Sequence, residues 1–264
     1  MVDLKNQIAI VTGGARGNGQ GMAEILGECG ATVILFDICD SLDDTVDTLC
    51  KKGIHCKGYH VDITDENQVN ANVEKVAAEF GTVDILINNA GIARLCKFDE
   101  MPNSIRDLHF SINLFGTWNC TKAVIPYMKK RKYGRIINIS SVTGPMVCDS
   151  GFTAYATSKA ALIGFTKSLA VEYAEQGITV NAILPGYIYT PMVQKSAEES
   201  NPENPASVIE GIANGIPMKR LGKTSELGYL AAFLASKEAA YITGTQNVFD
   251  GGSTLPETNS MGVK

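Results

Sequence analysis

A glycine-rich turn near the start of the chain is the feature that most restricts its fold. The apolar run at residues 8–11 (IAIV) predicts a β-strand, residues 20–28 predict a helix, and TGGARGNG lies between them at 12–19. Gly13, Gly17 and Gly19 allow a sharp strand-to-helix turn and a close approach of the backbone to a pyrophosphate at the helix N-terminus. The turn therefore predicts a dinucleotide site, although a lone glycine triplet also occurs in ordinary tight turns.

Residues at the ends of the next two strands indicate which dinucleotide would bind. Asp37 follows the apolar run 32–36, and a carboxylate there can accept both ribose hydroxyls of an adenosine and would repel a 2′-phosphate. NAD(H) is therefore favoured, while Arg16 keeps NADP(H) open because its guanidinium could pair with that phosphate. Farther along, Val61 and Asp62 are candidates for the adenine side, and Asp62 could equally be an ordinary turn residue.

Short β-branched runs alternate with helical patterns along the whole chain. The predicted strands are residues 8–11, 32–36, 83–87, 135–139 and 178–183. In residues 65–80 the apolar side chains share one helix face, with Thr64 as the predicted N-cap and Gly81 as the stop. This order predicts an α/β protein with a single-domain Rossmann fold over residues 1–264, a doubly wound parallel sheet with helices on both faces.

Composition excludes several classes of protein. The chain has 264 residues and a net charge of −5, so no basic surface for nucleic acid or an anionic membrane is expected. No apolar run approaches the length of a membrane span, and no secretory signal is recognisable. The 7 cysteines show neither a zinc-binding spacing nor a complete disulfide framework. We therefore expect free thiols, no metal site and a cytoplasmic location.

A second group of motifs lies farther along the chain. NNAG at 88–91 ends the fourth strand, where small and amide residues suit a site at which the backbone meets a cofactor. Tyr155 and Lys159 are four residues apart in a predicted helix, so they share one face. An ammonium beside a phenol favours the phenolate and lowers the tyrosine pKa, which makes a usable acid/base group. Alone, such a pair more often marks a solvated helix face.

In combination, these motifs resemble those of the short-chain dehydrogenase/reductase family in its single-domain form. TGxxxGxG at 12–19, NNAG at 88–91, Ser141, YxxxK at 155–159 and Pro185-Gly186 occur in order, and the resemblance runs from Lys5 to about Ser253. It implies hydride transfer between a nicotinamide and a secondary-alcohol carbon. It also implies roles for four catalytic residues: Tyr155 as acid/base, Lys159 on the nicotinamide ribose, Ser141 on the substrate oxygen, and Asn113 holding a proton-relay water.

The resemblance also implies which residues surround the cofactor. Thr190 would hold the nicotinamide carboxamide, and Ile188 would shield one face of the ring. The expected cofactor-binding set comprises Gly13, Arg16, Gly17, Asn18, Gly19, Asp37, Val61, Asp62, Asn89, Ala90, Gly91, Tyr155, Lys159, Pro185, Gly186, Ile188 and Thr190.

The chain departs from the family pattern at two places. Position 18 is Asn, where the family usually has Ile or Leu, so a polar side chain faces the cofactor region. Ser141 and Tyr155 are 14 positions apart, one more than is usual, and Ser141 is preferred to Ser140 because it keeps the S-x-x-G register. The extra residue falls in the segment 145–152, which borders the substrate in the family, so it affects the expected substrate preference.

Residues expected at the substrate are mostly apolar, which favours a bulky alicyclic alcohol such as a hydroxysteroid or bile acid over a polyol or sugar. They are Leu95, Cys96, Met146, Val147, Cys148, Phe152, Tyr187, Tyr189, Met192 and Val193. Residues 192–217 are expected to form a mobile lid whose polar tip, KSAEESNPENP, is a loop and whose inner side carries Val208, Ile209 and Ile212. The alternative is an inert surface loop.

Further expectations concern partners and the end of the chain. The family is commonly tetrameric, so a homotetramer is expected, and residues 254–264 form a short tail. Other functions stay open: a non-catalytic dinucleotide sensor, or another enzyme class on this fold, such as an epimerase or dehydratase. The complete set of Asn113, Ser141, Tyr155 and Lys159 argues against the non-catalytic alternative.

Overall fold

A computed structural model describes residues 2–256 and contains a seven-stranded parallel sheet, as predicted. The strands are β1 (Ile8–Thr12), β2 (Thr32–Asp37), β3 (Cys56–His60), β4 (Ile85–Asn88), β5 (Gly134–Ile139), β6 (Ile178–Pro185) and β7 (Gln246–Phe249). Their order in the sheet is β3-β2-β1-β4-β5-β6-β7. The order reverses between β1 and β4, and in such sheets ligands bind outside the carboxyl ends of the strands at this point.

Helices connect the strands, as the predicted alternation requires. They are α1 (Gly17–Glu28), α2 (Leu42–Lys51), α3 (Glu66–Phe80), α4 (Asn103–His109), α5 (Thr117–Arg131), α6 (Thr153–Tyr173), α7 (Pro191–Ser200), α8 (Pro205–Gly215) and α9 (Thr224–Ala235). A π-helical segment, Phe110–Gly116, joins α4 to α5, and two 3₁₀ turns occupy Phe98–Glu100 and Ala174–Gln176. In the part of the chain described, no helix combines the length and the apolar character of a membrane span.

The sheet is buried on both faces, which explains why its strands are nearly continuous apolar runs. Along β1, Ala9 and Val11 join one hydrophobic cluster with residues of α1 and α9, whereas Ile8 and Ile10 join a second with residues of α3 and α5. Side chains alternate between the faces of a strand, so each face needs its own apolar partners. The predicted doubly wound arrangement, with helices on both faces, is confirmed.

A buried chain of amides and hydroxyls joins the two central strands to the helices beside them. Asn88 Nδ2 donates to Asn138 Oδ1 on the neighbouring strand at 2.9 Å and to Thr121 Oγ1 of α5 at 2.9 Å. Asn138 Nδ2 in turn donates to Thr166 Oγ1 of α6 at 2.9 Å. Because β4 and β5 end at the candidate site, this chain fixes the position of α6 relative to the strand ends.

Two predicted helix starts are wrong. The N-cap of α3 is Asp65, whose carboxylate accepts from Asn67 N at 2.9 Å and Gln68 N at 3.2 Å. The predicted cap, Thr64, instead donates its hydroxyl to Asp62. Gly81 ends this helix in the left-handed conformation, as expected. The first helix begins at Gly17 rather than at residue 20, because the last glycines of the turn already form its first turn.

The segment predicted as a lid, residues 192–217, is mostly helical, and its polar tip is not a loop throughout. The polar run 195–205 covers the end of α7, a short connection and the first residue of α8. Pro191 and Pro205 each occupy the first turn of a helix, where proline costs no hydrogen bond. Val208, Ile209 and Ile212 are half-buried on α8. The predicted tail begins with Thr254, which donates to Asp250, and residues 257–264 lie outside the described part.

Candidate active site

Three of the four glycines in the first turn, Gly13, Gly17 and Gly19, are needed for different physical reasons. A Cβ on Gly19 would overlap the carbonyl oxygen of Gly13, and a Cβ on Gly13 would lie 2.9 Å from Ala90 Cα. Both glycines are therefore required by the packing of the turn itself. Gly17 has φ +57° and space in front of it, since the nearest atom to its Cβ position is Thr190 Cγ2 at 3.7 Å. Gly17 thus leaves the helix N-terminus accessible.

The NNAG turn is fastened to the glycine turn by side-chain hydrogen bonds. Asn89 Nδ2 donates to the carbonyl oxygens of Thr12 and Gly13, both at 3.0 Å. In return, Thr12 Oγ1 accepts from Asn89 N at 3.0 Å and from Ala90 N at 3.1 Å. Asn89 therefore supports the cofactor region through the backbone of the turn, and Thr12 is a supporting residue outside the predicted set.

The start of α1 is suited to an anionic group. The N-cap is Arg16, which is exposed and provides no side-chain cap, so this residue leaves the first N–H groups of the helix to other partners. Asn18 Oδ1 is buried and accepts no hydrogen bond within residues 2–256. A buried acceptor without a donor is costly, which indicates that a ligand or water supplies one.

Asp37 lies beside this turn, at the end of β2, as predicted. Its Oδ2 accepts from Ala15 N at 2.9 Å, and its Oδ1 accepts from Cys39 N at 3.0 Å. Each oxygen keeps acceptor capacity for a further donor such as a ribose hydroxyl. Asp62 is exposed, and its Oδ1 accepts from the Thr64 backbone and hydroxyl, which supports the turn role. Val61 is buried in the core.

Tyr155 and Lys159 lie one turn apart on α6, at the carboxyl end of β5. Lys159 is 5% exposed, and its Nζ donates to the Ile139 carbonyl at 2.7 Å and lies 5.8 Å from the centroid of the Tyr155 ring. Ser141, two residues past β5, is also buried. A Cβ on Gly91 would lie 3.4 Å from Lys159 Nζ, so the loop after β4 covers the ammonium. The predicted catalytic groups are therefore neighbours.

Burial controls the protonation of this pair. It lowers the pKa of Lys159 to about 8, because the ammonium has left water. It also raises the pKa of Tyr155 above its ordinary value, and a hydrogen bond with Ser141 offsets only part of this. The sequence predicts that Lys159 lowers the pKa of Tyr155. The net shift of that pKa is upward, so the prediction is wrong. The spacing of Tyr155 and Lys159 reveals the neighbouring charge but not the desolvation of the phenolate.

Asn113 lies in the π-helical segment and is completely buried. Its Oδ1 accepts from Ile92 N at 2.8 Å, and its Nδ2 donates to Ile92 O and to Ser158 Oγ, both at 3.0 Å. The side chain thus connects the loop after β4 to α6. Its expected role in holding a water stays a prediction. Ser158 and His109, which also contacts this loop, lie outside the predicted set.

The residues expected near the nicotinamide follow β6. Gly186 N donates to Phe249 O at 2.9 Å, and Ile188 is buried and pairs with Gly222. Thr190 is the N-cap of α7, and its hydroxyl accepts from Val193 N at 3.3 Å. The hydroxyl hydrogen of Thr190 remains a donor for a second partner. Because Thr190 also faces Gly17, this segment and the glycine turn border the same space.

The residues predicted at the substrate are mostly exposed. Cys96 N donates to Gly151 O at 3.0 Å, which joins the loop after β4 to the segment before α6. The large exposed apolar side chains of the predicted set are Leu95, Met146, Val147, Tyr187, Tyr189 and Met192. Cys148 is exposed too, whereas Cys96, Phe152 and Val193 are half-buried. A cleft of about 510 Å³ has Gly17, Tyr189 and Thr190 in its wall.

Three comparisons with known proteins agree with this geometry. A family model described as enoyl-(acyl carrier protein) reductase matches residues 13–254. Oxidoreductase UcpA of Escherichia coli (strain K12) is 51% identical over 263 residues, 100% of each chain. The 3-oxoacyl-(acyl-carrier-protein) reductase FabG of Thermotoga maritima is 38% identical over 256 residues, 96% of this chain and 99% of that protein. The ligand-free structure of Thermoplasma acidophilum aldohexose dehydrogenase has a TM-score of 0.90 at 35% identity, covering 99% of each chain.

Burial of Lys159 predicts a pH-dependent cost in stability. Its pKa is about 8 in the folded chain against an ordinary 10.5, so between these values the unfolded chain binds more protons. The cost is full below pH 8 and disappears as the pH rises through 10.5. The free energy of unfolding of Lys159→Met minus that of wild type should therefore decrease by about 3 kcal/mol from pH 7 to pH 10.5.

Urea unfolding at one fixed protein concentration measures this difference, and Lys167→Met on the exposed side of α6 controls for the loss of a lysine. A constant difference between Lys159→Met and wild type across this pH range would contradict the burial of a titrating ammonium.

Proposed function

Because this chain belongs to the short-chain dehydrogenase/reductase family, we propose that it interconverts a secondary alcohol and a ketone by NAD(P)-dependent hydride transfer. The observation that carries the proposal is the position of Tyr155, with Ser141 beside it and the buried ammonium of Lys159 within 5.8 Å of its ring. These groups can hold an oxygen atom and exchange a proton with it.

The residues around the glycine turn fit a dinucleotide. Gly17 leaves space at an uncapped helix N-terminus, and Asn18 Oδ1 needs a donor. We propose that the dinucleotide lies along the carboxyl ends of the strands, with its adenosine near Asp37 and its nicotinamide near Thr190. When bound, the nicotinamide ring supplies or accepts the hydride at its C4 atom.

Side chains of the protein donate and accept the proton of the reaction. Burial raises the pKa of Tyr155, so the phenol carries its proton at neutral pH and can donate it to a carbonyl oxygen. Ser141 would donate a hydrogen bond to the same oxygen. Below pH 8 Lys159 is largely protonated, so its charge stabilises the phenolate that forms when the proton leaves. In the reverse direction the phenolate accepts the proton of the alcohol.

We propose NAD(H) as the preferred cofactor, with NADP(H) as the alternative. Support comes from Asp37, whose carboxylate accepts hydrogen bonds from Ala15 N and Cys39 N. These bonds hold the carboxylate at the end of β2, beside the proposed position of the adenosine. A 2′-phosphate beside this carboxylate would suffer repulsion. Arg16 is exposed and could turn towards a 2′-phosphate, which is why the second cofactor stays open.

The substrate is proposed to be an alcohol with an apolar body, and a hydroxysteroid or bile acid is the proposed example. Exposed side chains such as Tyr187 and Met192 support it, because large apolar groups on a surface often mark a binding site. A sugar is the second candidate. It is favoured by the similarity to aldohexose dehydrogenase over 99% of both chains.

We also propose a cytoplasmic location and a homotetramer. All seven cysteines are free thiols, as a reducing compartment requires. For the tetramer, Trp118 of α5 is 53% exposed and its ring lies 5.0 Å from that of Phe165 on α6, so these helices present aromatic surface.

Replacing Tyr155 by Phe should lower kcat about 10²- to 10⁴-fold, because the group that exchanges the proton is lost. Affinity for the reduced dinucleotide, followed by the fluorescence of the nicotinamide, should stay close to wild type. A variant that keeps near-wild-type kcat would refute the assignment of Tyr155 as the acid/base, and loss of dinucleotide binding would show that the phenol acts mainly by holding the cofactor.

Replacing Asp37 by Asn should shift the preference towards NADP(H), since the variant keeps the size of the side chain and loses its charge. The ratio of kcat/KM for NADP(H) to that for NAD(H) should rise about tenfold or more. Asp62→Asn is the control, because Asp62 is expected on the adenine side, which NAD(H) and NADP(H) share, and accepts its hydrogen bonds within an exposed turn, so the ratio should stay unchanged. An unchanged ratio in Asp37→Asn would contradict the proposed position of the adenosine.

A panel of hydroxysteroids, 3-oxoacyl thioesters and aldohexoses, followed by the absorbance of the reduced nicotinamide, tests the substrate. We expect turnover of the apolar alcohols, and a KM for them that rises severalfold in Met192→Gln, which replaces an apolar side chain by a polar one of similar size. Turnover of the sugars alone would contradict the apolar-body proposal and leave hydride transfer intact.

A further inference from the structure

The loop after β4 is held in an unusual way. Residues 91–95 connect the cofactor side of the site, at Gly91, to the substrate side, at Leu95. No backbone–backbone hydrogen bond involves residues 91–95 in the described part of the chain. Three backbone groups in this loop instead bond to side chains: Ile92 N and Ile92 O to Asn113, and Arg94 N to His109. The position of the loop therefore depends on two side chains.

His109 is the less expected of the two. It is the last residue of α4 and has no exposed surface, and among residues 2–256 neither of its ring nitrogens contacts a carboxylate. Nδ1 lies 2.8 Å from Ile105 O, which can only accept, so Nδ1 carries the hydrogen. Nε2 lies 3.1 Å from Arg94 N, which can only donate, so Nε2 is the acceptor. The two partners thus fix a neutral ring with one tautomer.

The hydrogen bonds of His109 and Asn113 anchor an exposed loop to buried side chains. Arg94 and Leu95 are exposed, whereas His109 and Asn113 are completely buried, so both anchors belong to the rigid part of the fold. The same loop covers Lys159 at Gly91 and reaches Gly151 through Cys96 N. A shift at Arg94 would therefore move the part of the loop that borders the substrate, while the NNAG turn remains bound to Thr12 through its own hydrogen bonds.

We propose that His109 is a positioning residue, which sets the substrate side of the active site by accepting a hydrogen bond from Arg94 N and thereby fixing the loop at residues 91–95, which leads directly into Cys96. Its effect on turnover rests on the proposed function, whereas its effect on the loop does not. Loss of the acceptor leaves Arg94 N–H without a protein partner, which favours conformations in which that group reaches water.

Two substitutions of similar size separate the loop contact from the helix contact. His109→Gln places an amide oxygen near the position of Nε2 and keeps an acceptor for Arg94 N. His109→Asn places its amide near the position of Nδ1, so it can still bond to Ile105 O but is too short to reach the loop. A purely structural role for a buried polar group would give both variants similar behaviour, and thermal unfolding of each checks that both fold.

The first readout is the alkylation rate of Cys96 in the full-length protein, with N-ethylmaleimide as the probe and peptide mass spectrometry to locate the label. Cys96 directly follows the loop and is half-buried. Cys50, which is exposed at the end of α2, is the internal reference. His109→Asn should raise the rate of Cys96 relative to Cys50 roughly tenfold, and His109→Gln should stay within about twofold of wild type.

The second readout is steady-state kinetics with a substrate found in the panel. His109→Asn should raise the KM for this substrate about tenfold, with little change in kcat or in the dissociation constant of the dinucleotide, and His109→Gln should restore KM. Equal Cys96 rates in wild type and His109→Asn would overturn the proposal. Altered Cys96 rates in a protein that turns over no alcohol or ketone would support the loop role and contradict the proposed function alone.

Discussion

The burial of the Lys159 ammonium is the constraint on which the rest of the site depends. An ion removed from water costs several kcal/mol unless close partners replace its hydration, and the hydrogen-bond partner that the structure gives Nζ is a neutral carbonyl, Ile139 O. The low pKa of this lysine, about 8, is the direct result. Helix α6, the end of β5 and the loop after β4 all have to meet at this point to keep the group buried.

The supporting structure around Lys159 is built from amides and hydroxyls rather than from charges. Asn88 and Asn138 pair across the central strands, Asn89 and Thr12 join the two turns, and Asn113 connects a loop to α6. Neutral groups cost less to bury than charges when they are hydrogen-bonded, and in the described residues Asn88 Oδ1 is the one atom of these amides that is buried without a partner. The electrostatics of the site are thereby left to Lys159 and the helix N-terminus, and the hydrogen bonds hold the side chains in the positions that orientation of a reacting oxygen requires.

Much of this could be predicted from the sequence, because the relevant signals are local. Buried parallel strands are continuous apolar runs, so the sheet and the position of Asp37 at the end of β2 followed from periodicity. Tyr155 and Lys159 were recognisable from their spacing together with the family motifs. The helices α7 and α8 were missed because their prolines and polar residues were interpreted as a loop, although Thr190-Pro191 and Asn204-Pro205 are also typical of a helix cap followed by its first residue.

The remaining features could not be predicted because they depend on contacts between distant segments. Asp65 rather than Thr64 caps α3, and both residues have a side chain able to do so. The direction of the Tyr155 pKa depends on how deeply the fold buries the phenol, which spacing does not reveal. His109 looks like an ordinary residue of an amphipathic helix until the structure shows Arg94 N, 15 positions earlier, against its ring.

The most direct test of the proposed hydride transfer is isotopic. The wild-type protein is incubated with a mixture of ketones and the reduced nicotinamide dinucleotide carrying two deuterium atoms at C4, and the alcohols formed are analysed by mass spectrometry. If Tyr155, Ser141 and Lys159 direct transfer to a carbonyl, deuterium appears on the carbinol carbon with wild type and is strongly reduced with Tyr155→Phe. Dinucleotide binding without any deuterated alcohol, or equal labelling by both proteins, would contradict this account.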